Sequence, residues 1–309
     1  MTALHATLPL PPPLQRGAER RGLWLGLLGV GIFALTLPMT RLAVGTPELP
    51  QMSGVFVAMG RAAVAGVLSA LFLFATRAPW PQRQDWLPLL LTMGGVVFGF
   101  PLLTSIAMRH VEAVHASVIV GVLPMATAVV GALMHRQRPS LGFWLCALLG
   151  SAMVAVFAML RSGDNGLSIQ PADGLLLLAM LLGAVGYGFG GRLAQRMRGE
   201  HVICWVLVLA LPVTLPVALW TQPPHPVSIS AWGSFAYLAV FSQWLGFFAW
   251  YRGLALGGTV RVSQVQLVQP FVSMLFAVPL LGETLDAVTV GFGLAIIAVV
   301  FIGKRMPVR

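Results

Sequence analysis

Apolar residues run along this chain in long blocks separated by short polar or charged breaks. Neither the two-residue alternation of a half-buried strand nor the one-sided stripe of a soluble helix dominates. A block of about 18 or more apolar residues is long enough to cross a bilayer as a helix. Ten such blocks can be drawn: approximately Gly22–Met39, Val55–Ala75, Leu87–Met108, Val114–Leu133, Leu141–Leu160, Gly174–Gly190, Val202–Trp220, Trp232–Tyr251, Val260–Leu281 and Leu285–Gly303. The connections are too short to hold a soluble domain. The pattern predicts an all-α polytopic membrane protein with ten transmembrane helices.

Composition agrees with the pattern. Of 309 residues, 58% are hydrophobic and 9% charged, against about 25% charged in an ordinary soluble domain. So few charges could not cover the surface of a soluble enzyme, and disorder requires the opposite composition. Cys146 and Cys204 both lie inside apolar blocks, which excludes a disulfide framework or a zinc cluster. The first twenty or so residues are proline-rich at Pro11–Pro13 and basic at Arg16, Arg20 and Arg21. The apolar block behind them is too long for a secretory signal and no small-residue cleavage site clearly follows, so an uncleaved first helix is expected.

The net charge of +10 changes the picture only through its placement. With the N-terminus inside, 15 of the 19 basic residues fall in cytoplasmic segments. Arg41, Arg109 and Arg161 fall outside, and Arg61 lies within the second block. This positive-inside bias predicts an inner-membrane protein with both termini cytoplasmic. Removing one helix would exchange the sides of every later loop and largely erase the asymmetry. The excess charge therefore needs no nucleic-acid partner.

Pairing Pro124 with Pro270 aligns the fourth and ninth blocks without a gap, and Ser117 then falls on Ser263, Val114 on Val260 and Gln137 on Glu283. Two halves of five helices follow, at residues 22–160 and 174–303, with a periplasmic linker at 161–173 and cytoplasmic tails at 1–21 and 304–309. An odd number of spans per half inserts the second half upside down. Such inverted repeats are typical of secondary transporters, with the substrate site near the midplane between the halves.

Several segments then resemble a known family. Phe247-Phe248-Ala249-Trp250-Tyr251-Arg252-Gly253-Leu254-Ala255, Gln269-Pro270-Phe271 and Leu281-Gly282-Glu283-Thr284-Leu285 resemble the second half of EamA-type drug/metabolite transporters. Arg41, Arg61-Ala62-Ala63 and the stretch from Ala107-Met108-Arg109-His110 to Pro124 are similar to the first half. The resemblance covers roughly residues 22–303. It implies ten helices around a central cavity and export or exchange of small organic metabolites. Gln269 stands where many members carry Glu, and Gln137 where the first half often has an acid. Coupling through intramembrane carboxylates is accordingly not expected.

The residues that could carry chemistry are few. Arg61 is the one charge well inside a block; at the bilayer centre a charge costs about 2.5–3.5 kcal/mol on insertion scales. It either holds an anionic group such as a substrate carboxylate, or snorkels to the outer end or binds backbone carbonyls. Pro124 and Pro270 break their helices near the middle and would act as hinges. Pro38 and Pro101 have no partner in the repeat alignment. Gln266, Gln269 and Ser273 share one face of an ideal helix, either toward a polar substrate or as inter-helix contacts. Gln243 lies deep in the eighth block, whereas Trp250 and Tyr251 at its end suit an interfacial belt. Tyr187 and Thr36 are further polar candidates. Glycines at Gly22/Gly26, Gly95/Gly99 and Gly186/Gly190 permit close helix contact. His110 and His115 flank Glu112 in an expected solvated outer loop.

No Ser/His/Asp set, phosphate-binding glycine loop or metal-ligand spacing is present in the sequence, so no cofactor and no enzymatic activity are expected. The expectation is an exporter of small amphipathic or zwitterionic metabolites, with a small molecule and the lipid bilayer as partners and a homodimer left open. A non-transporting sensor or assembly partner, or a flippase for a lipid-linked intermediate, would use the same scaffold.

Overall fold

The computed structural model describes residues 12–134, 140–160, 170–257, 262 and 264–306. Over the described residues each predicted block is helical, apart from a residue or two at its ends and the turns at Leu35 and residues 121–122, and no strand forms among them. The helices are α1 (Pro12–Ala34), α2 (Thr36–Val44), α3 (Gly54–Ala75), α4 (Trp86–Met93), α5 (Phe100–Ala107), α6 (Ala113–Val120), α7 (Leu123–Met134), α8 (Leu141–Leu160), α9 (Pro171–Leu193), α10 (Gly199–Trp220), α11 (Ile229–Tyr237), α12 (Gly246–Gly257), α13 (Gln269–Leu281) and α14 (Ala287–Arg305). Five helical stretches are long and apolar enough to cross a membrane: Gly17–Val44, Gly54–Ala75, Arg83–Ala107, Pro171–Leu193 and Gly199–Trp220. Shorter apolar helices cover Ala113–Thr127, Leu141–Val154, Val265–Leu281 and Ala287–Gly303.

Several interruptions fall where proline withholds a backbone donor, whereas α10 runs unbroken through Pro212 and Pro216. Pro38 cannot bond the carbonyl of Ala34, and α1 stops there before α2 resumes after Leu35. Pro124 likewise frees the carbonyl of Val120, the last residue of α6. Pro270 frees that of Gln266, and the turn before α13 tightens into a 3₁₀ segment, Gln264–Val268. Between α4 and α5 the backbone widens into a π-helical stretch, Gly94–Gly99, in which the Phe100 N–H reaches back five residues to the carbonyl of Gly95. In that register Pro101 would bond Val96, and its missing N–H leaves the Val96 carbonyl free. A second π-helical stretch, Leu238–Leu245, joins α11 to α12. In the register that pairs Pro124 with Pro270, Gly94–Gly99 falls on residues 240–245, inside that stretch.

Packing is equally patterned. α3 lies along α10, α1 along α12, the π segment and α5 along α9, α6 against α13, and α8 against α14. Exchanging the first five blocks with the last five turns each of these pairs into itself or into another of them. The closest approaches use glycine. Gly22 and Gly26 meet the backbone or side chains of Gly257, Gly253 and Val262, and Gly95 meets Gly186 and the Leu182 carbonyl. Gly190 lies under the Tyr251 ring. Large apolar side chains on the outer faces, among them Leu71, Phe74, Leu148, Leu219 and Leu294, are exposed. A face of this kind is costly in water and suited to lipid.

Gly95→Val would drive a side chain into the backbone of α9. Overpacking of this kind costs about 1–3 kcal/mol. Thermal unfolding in detergent is expected to show a clearly lowered midpoint for Gly95→Val, whereas Gly291→Val, where an added Cβ has open space, leaves the midpoint near that of the unmodified protein.

Candidate substrate site

The breaks converge on one cavity. Its walls are Phe33, Thr36 and Leu37 at the break of the first span, Arg61 on α3, Val96 in the first π segment, Phe100, and Val120 beside Pro124. Gly183 and Tyr187 on α9, Ser242 in the second π segment, Phe247, and Gln269 beside Pro270 complete it. The polar groups are thus offered by backbone that the helices could not continue regularly, which is where discontinuous spans place ligand sites.

Arg61 organises the floor of this cavity. It is 2% exposed. Its Nε and Nη2 donate to Oε1 of Gln243 at 2.9 and 2.7 Å. The amide of Gln243 is fully buried and donates in turn to the Val96 carbonyl at 3.0 Å. The chain Arg61–Gln243–Val96 therefore runs from α3 through the second π segment to the first, and the carbonyl at its end is the one Pro101 leaves free. The third guanidinium donor group, Nη1, has no hydrogen-bond partner. Thr36 and Ser242 share a hydroxyl–hydroxyl bond of 2.8 Å, which ties α2 to the second π segment.

Aromatic rings form the rest of the wall. Phe33 packs on Phe247 at 5.0 Å between centroids, and Tyr187 approaches Phe247 at 6.1 Å and Trp250 at 5.9 Å. Among the described residues no Asp or Glu lines the cavity. In this conformation the volume is about 20 Å³, room for about one water.

The end of the bundle at Glu283 and the first turn of α6 is closed by contacts between the two halves of the chain. Glu283, after α13, accepts the N–H groups of Ala113 and Val114 at 2.8 and 2.7 Å. It caps α6, whose own N-cap residue Glu112 makes no side-chain cap bond. A carboxylate there also meets the positive end of the helix dipole. Burial pushes the Glu283 carboxyl above the ordinary carboxylate range, and its two backbone bonds draw it back. His115 in the first turn of α6 bonds Asp173 of α9 at 2.7 Å. On the same side Arg41 donates to the Met108 carbonyl at 2.6 Å.

Of the residues singled out from sequence, Arg61, Tyr187, Thr36 and Gln269 line the cavity and Gln243 holds Arg61 from behind. Pro124 and Pro270 flank it through Val120 and Gln269. Four expectations need correction. Arg61 neither snorkels nor binds a backbone carbonyl, because Gln243 reaches it first. Trp250 and Tyr251 are 1% and 0% exposed and form no interfacial belt: Gly29 of α1 packs against Trp250, and Gly190 of α9 and Gly199 of α10 pack against Tyr251. His115 is not in a solvated loop but in the clamp with Asp173. The 3₁₀ turn at Gln264–Val268 changes the phase before Pro270, so Gln266 does not share an ideal α-helical face with Gln269; it is buried but does not line the cavity. Gln137 lies outside the described residues. Ser242, the Val96 carbonyl and the trans cap by Glu283 were missed. Proline four or five residues downstream signals Val96, and nothing local signals the other two.

Similarity to known proteins agrees with this architecture. The sequence matches the EamA-like transporter family over residues 20–159 and again over 170–303. It is 40% identical to the "Uncharacterized transporter YdeK" of Bacillus subtilis (strain 168), over 91% of this chain and 96% of that protein. It is 25% identical to the "Inner membrane protein YtfF" of Escherichia coli (strain K12), over 85% and 91% of the two chains. A "Probable terminal-alkyne amino-acid exporter" of Streptantibioticus cattleyicolor is also 25% identical, over 92% and 94%. One solved crystal structure superposes with a TM-score of 0.59 at 18% identity, covering 93% of this chain and 96% of that one, and shares the fold.

Gln243→Leu would leave two guanidinium donors and the Val96 carbonyl unpaired in a buried site. Removing one partner of a buried charged network costs about 3–5 kcal/mol. The variant is expected to unfold at a markedly lower temperature in detergent. Gln243→Glu, which keeps the acceptor for Arg61 but loses the donor to the Val96 carbonyl, is expected to fall between that variant and the unmodified protein.

Proposed function

The chain belongs to the EamA-like transporter family, and we propose that within this family of membrane transporters it is an exporter of small amphipathic or zwitterionic metabolites, amino acids among them, working by alternating access. The observation that carries this is the cavity: every interrupted helix contributes to it, and it lies between segments of the two matched stretches. The exchangeable packing pairs and the two π segments support an inverted repeat of two five-helix halves crossing the membrane ten times. The charge distribution supports an inner-membrane orientation with both termini in the cytoplasm.

The chemistry of the walls fits an amphipathic cargo. Tyr187, Phe33 and Phe247 offer apolar surface, while Gln269, Thr36 and Ser242 offer donors and acceptors. Pro124 and Pro270 let the halves of the fourth and ninth spans tilt separately. Opening to the outside requires the ends of α6 and α13 to part, which breaks the two bonds of Glu283. Among the described residues no carboxylate lines the cavity, so the cycle proceeds as facilitated diffusion or exchange. The amino-acid exporter of Streptantibioticus cattleyicolor supports the substrate class.

Purified protein in liposomes loaded with mixed amino acids is expected to release a subset faster than protein-free liposomes, with or without an imposed proton gradient. Gln269→Leu removes a cavity hydrogen bond; at about 1 kcal/mol or a little more, its flux is expected to fall about tenfold. Release that occurs only under a proton gradient would overturn the uncoupled cycle, and unchanged flux in Gln269→Leu would remove that residue from the path.

A further inference from the structure

We propose that the one charge this transporter reads on its cargo is a carboxylate, held by Nη1 of Arg61, and that a cargo amine is not required. The inference rests on the transport reading above and sharpens its substrate class to small monocarboxylates carrying an apolar group.

Arg61 is fixed before any cargo arrives. Two of its three nitrogens are used by a single oxygen of Gln243, and that amide is itself anchored on the Val96 carbonyl. The guanidinium plane therefore has one orientation, with Nη1 as its remaining unpaired donor group. Gln243 supplies an acceptor without charge, so it positions the cation and leaves it unneutralised. Among the described residues no ion pair reaches Arg61, and no carboxylate lines the cavity. A buried cation without a counter-charge is unfavourable in a low-dielectric interior, and an incoming anion relieves it.

The number of charges selects the anion. One guanidinium neutralises one negative charge, which suits a carboxylate. A phosphate dianion would bring a second charge that no lining residue meets. Tyr187 and Gln269 on the same cavity can donate to the second carboxylate oxygen. An ammonium group finds only neutral acceptors there, the hydroxyls of Thr36 and Ser242 and the amide oxygen of Gln269. The aromatic wall takes the apolar remainder. An α-amino acid satisfies this site, and so does the same skeleton with its amine acetylated or replaced by a keto group.

The test uses wild-type protein in liposomes loaded with equal amounts of phenylalanine, N-acetylphenylalanine, phenylpyruvate, phenylalaninamide and phenethylamine. Release is read by mass spectrometry after subtraction of protein-free liposomes. The three carboxylates are expected to leave at least about tenfold faster than the amide and the amine, as one lost charge-assisted hydrogen bond implies. Arg61→Gln is expected to abolish that preference, and Arg61→Lys to weaken it. Equal release of acids and amide overturns the carboxylate inference and leaves transport standing. Release of only the amine-bearing compounds also overturns it. Release of none of the five, together with none of the amino acids in the mixed-pool experiment, removes the transport reading and this inference with it. The wild-type comparison decides the question even if the Arg61 variants do not fold.

Discussion

A guanidinium buried among helices whose outer faces suit lipid must be satisfied by the protein itself, and much of this architecture follows from how that is done. Gln243 accepts two of the Arg61 donors, and the Val96 carbonyl accepts from Gln243. The Val96 carbonyl is open to that bond because Pro101 cannot use it and the backbone around it has widened into a π turn. Removing the Gln243 amide strands polar groups where an unpaired one costs about 1–3 kcal/mol. The cation, the amide, the π turn and the proline are thus one device that joins α3, the third block and the eighth.

The same rule explains where the cavity lies. In a bilayer, backbone that departs from a regular helix is tolerated only where it is buried in protein or lines a cavity. Five of the apolar blocks are interrupted, at Leu35, Gly94–Gly99, residues 121–122, Leu238–Leu245 and Gln264–Val268, and each interruption has a residue in or beside the central walls. Glycine contacts such as Gly22 on Gly257 and Gly95 on Gly186 hold the remaining regular helices close enough to enclose them. The closure at Glu283 is built differently, from charge at helix ends. Glu283 and Asp173, both from the later half of the chain, fasten the first turn of α6. A firm scaffold and a seam that can be undone are therefore made of different interactions.

Much of the fold was legible in the sequence, because spacing and composition express a constraint that acts locally. Each long apolar block had to be a helix, since a bilayer offers no partner for exposed backbone, and the mid-block prolines marked where one can be interrupted, although α10 runs unbroken through Pro212 and Pro216. Arg61 was marked out by being the single charge well inside a block. The π turns were not legible: widening a helix by one residue depends on which carbonyl a distant side chain can take, and Gln243 is far from Val96 in the chain. Trp250 and Tyr251 misled for the same reason. Their place at a block end suits a belt, and only the approach of α1, α9 and α10 puts them in the interior.

The sequence by itself thus determined the helices, the biased distribution of basic residues, and the paired prolines, because each depends on residues within a turn or two, or on simple counts along the chain. Only the tertiary structure decided which polar groups meet. That Arg61 is held by Gln243 rather than by a backbone carbonyl, that Thr36 bonds Ser242, and that Glu283 caps a helix of the other half are contacts between segments brought together by packing. Their partners are chosen by geometry across the bundle, which no local pattern encodes.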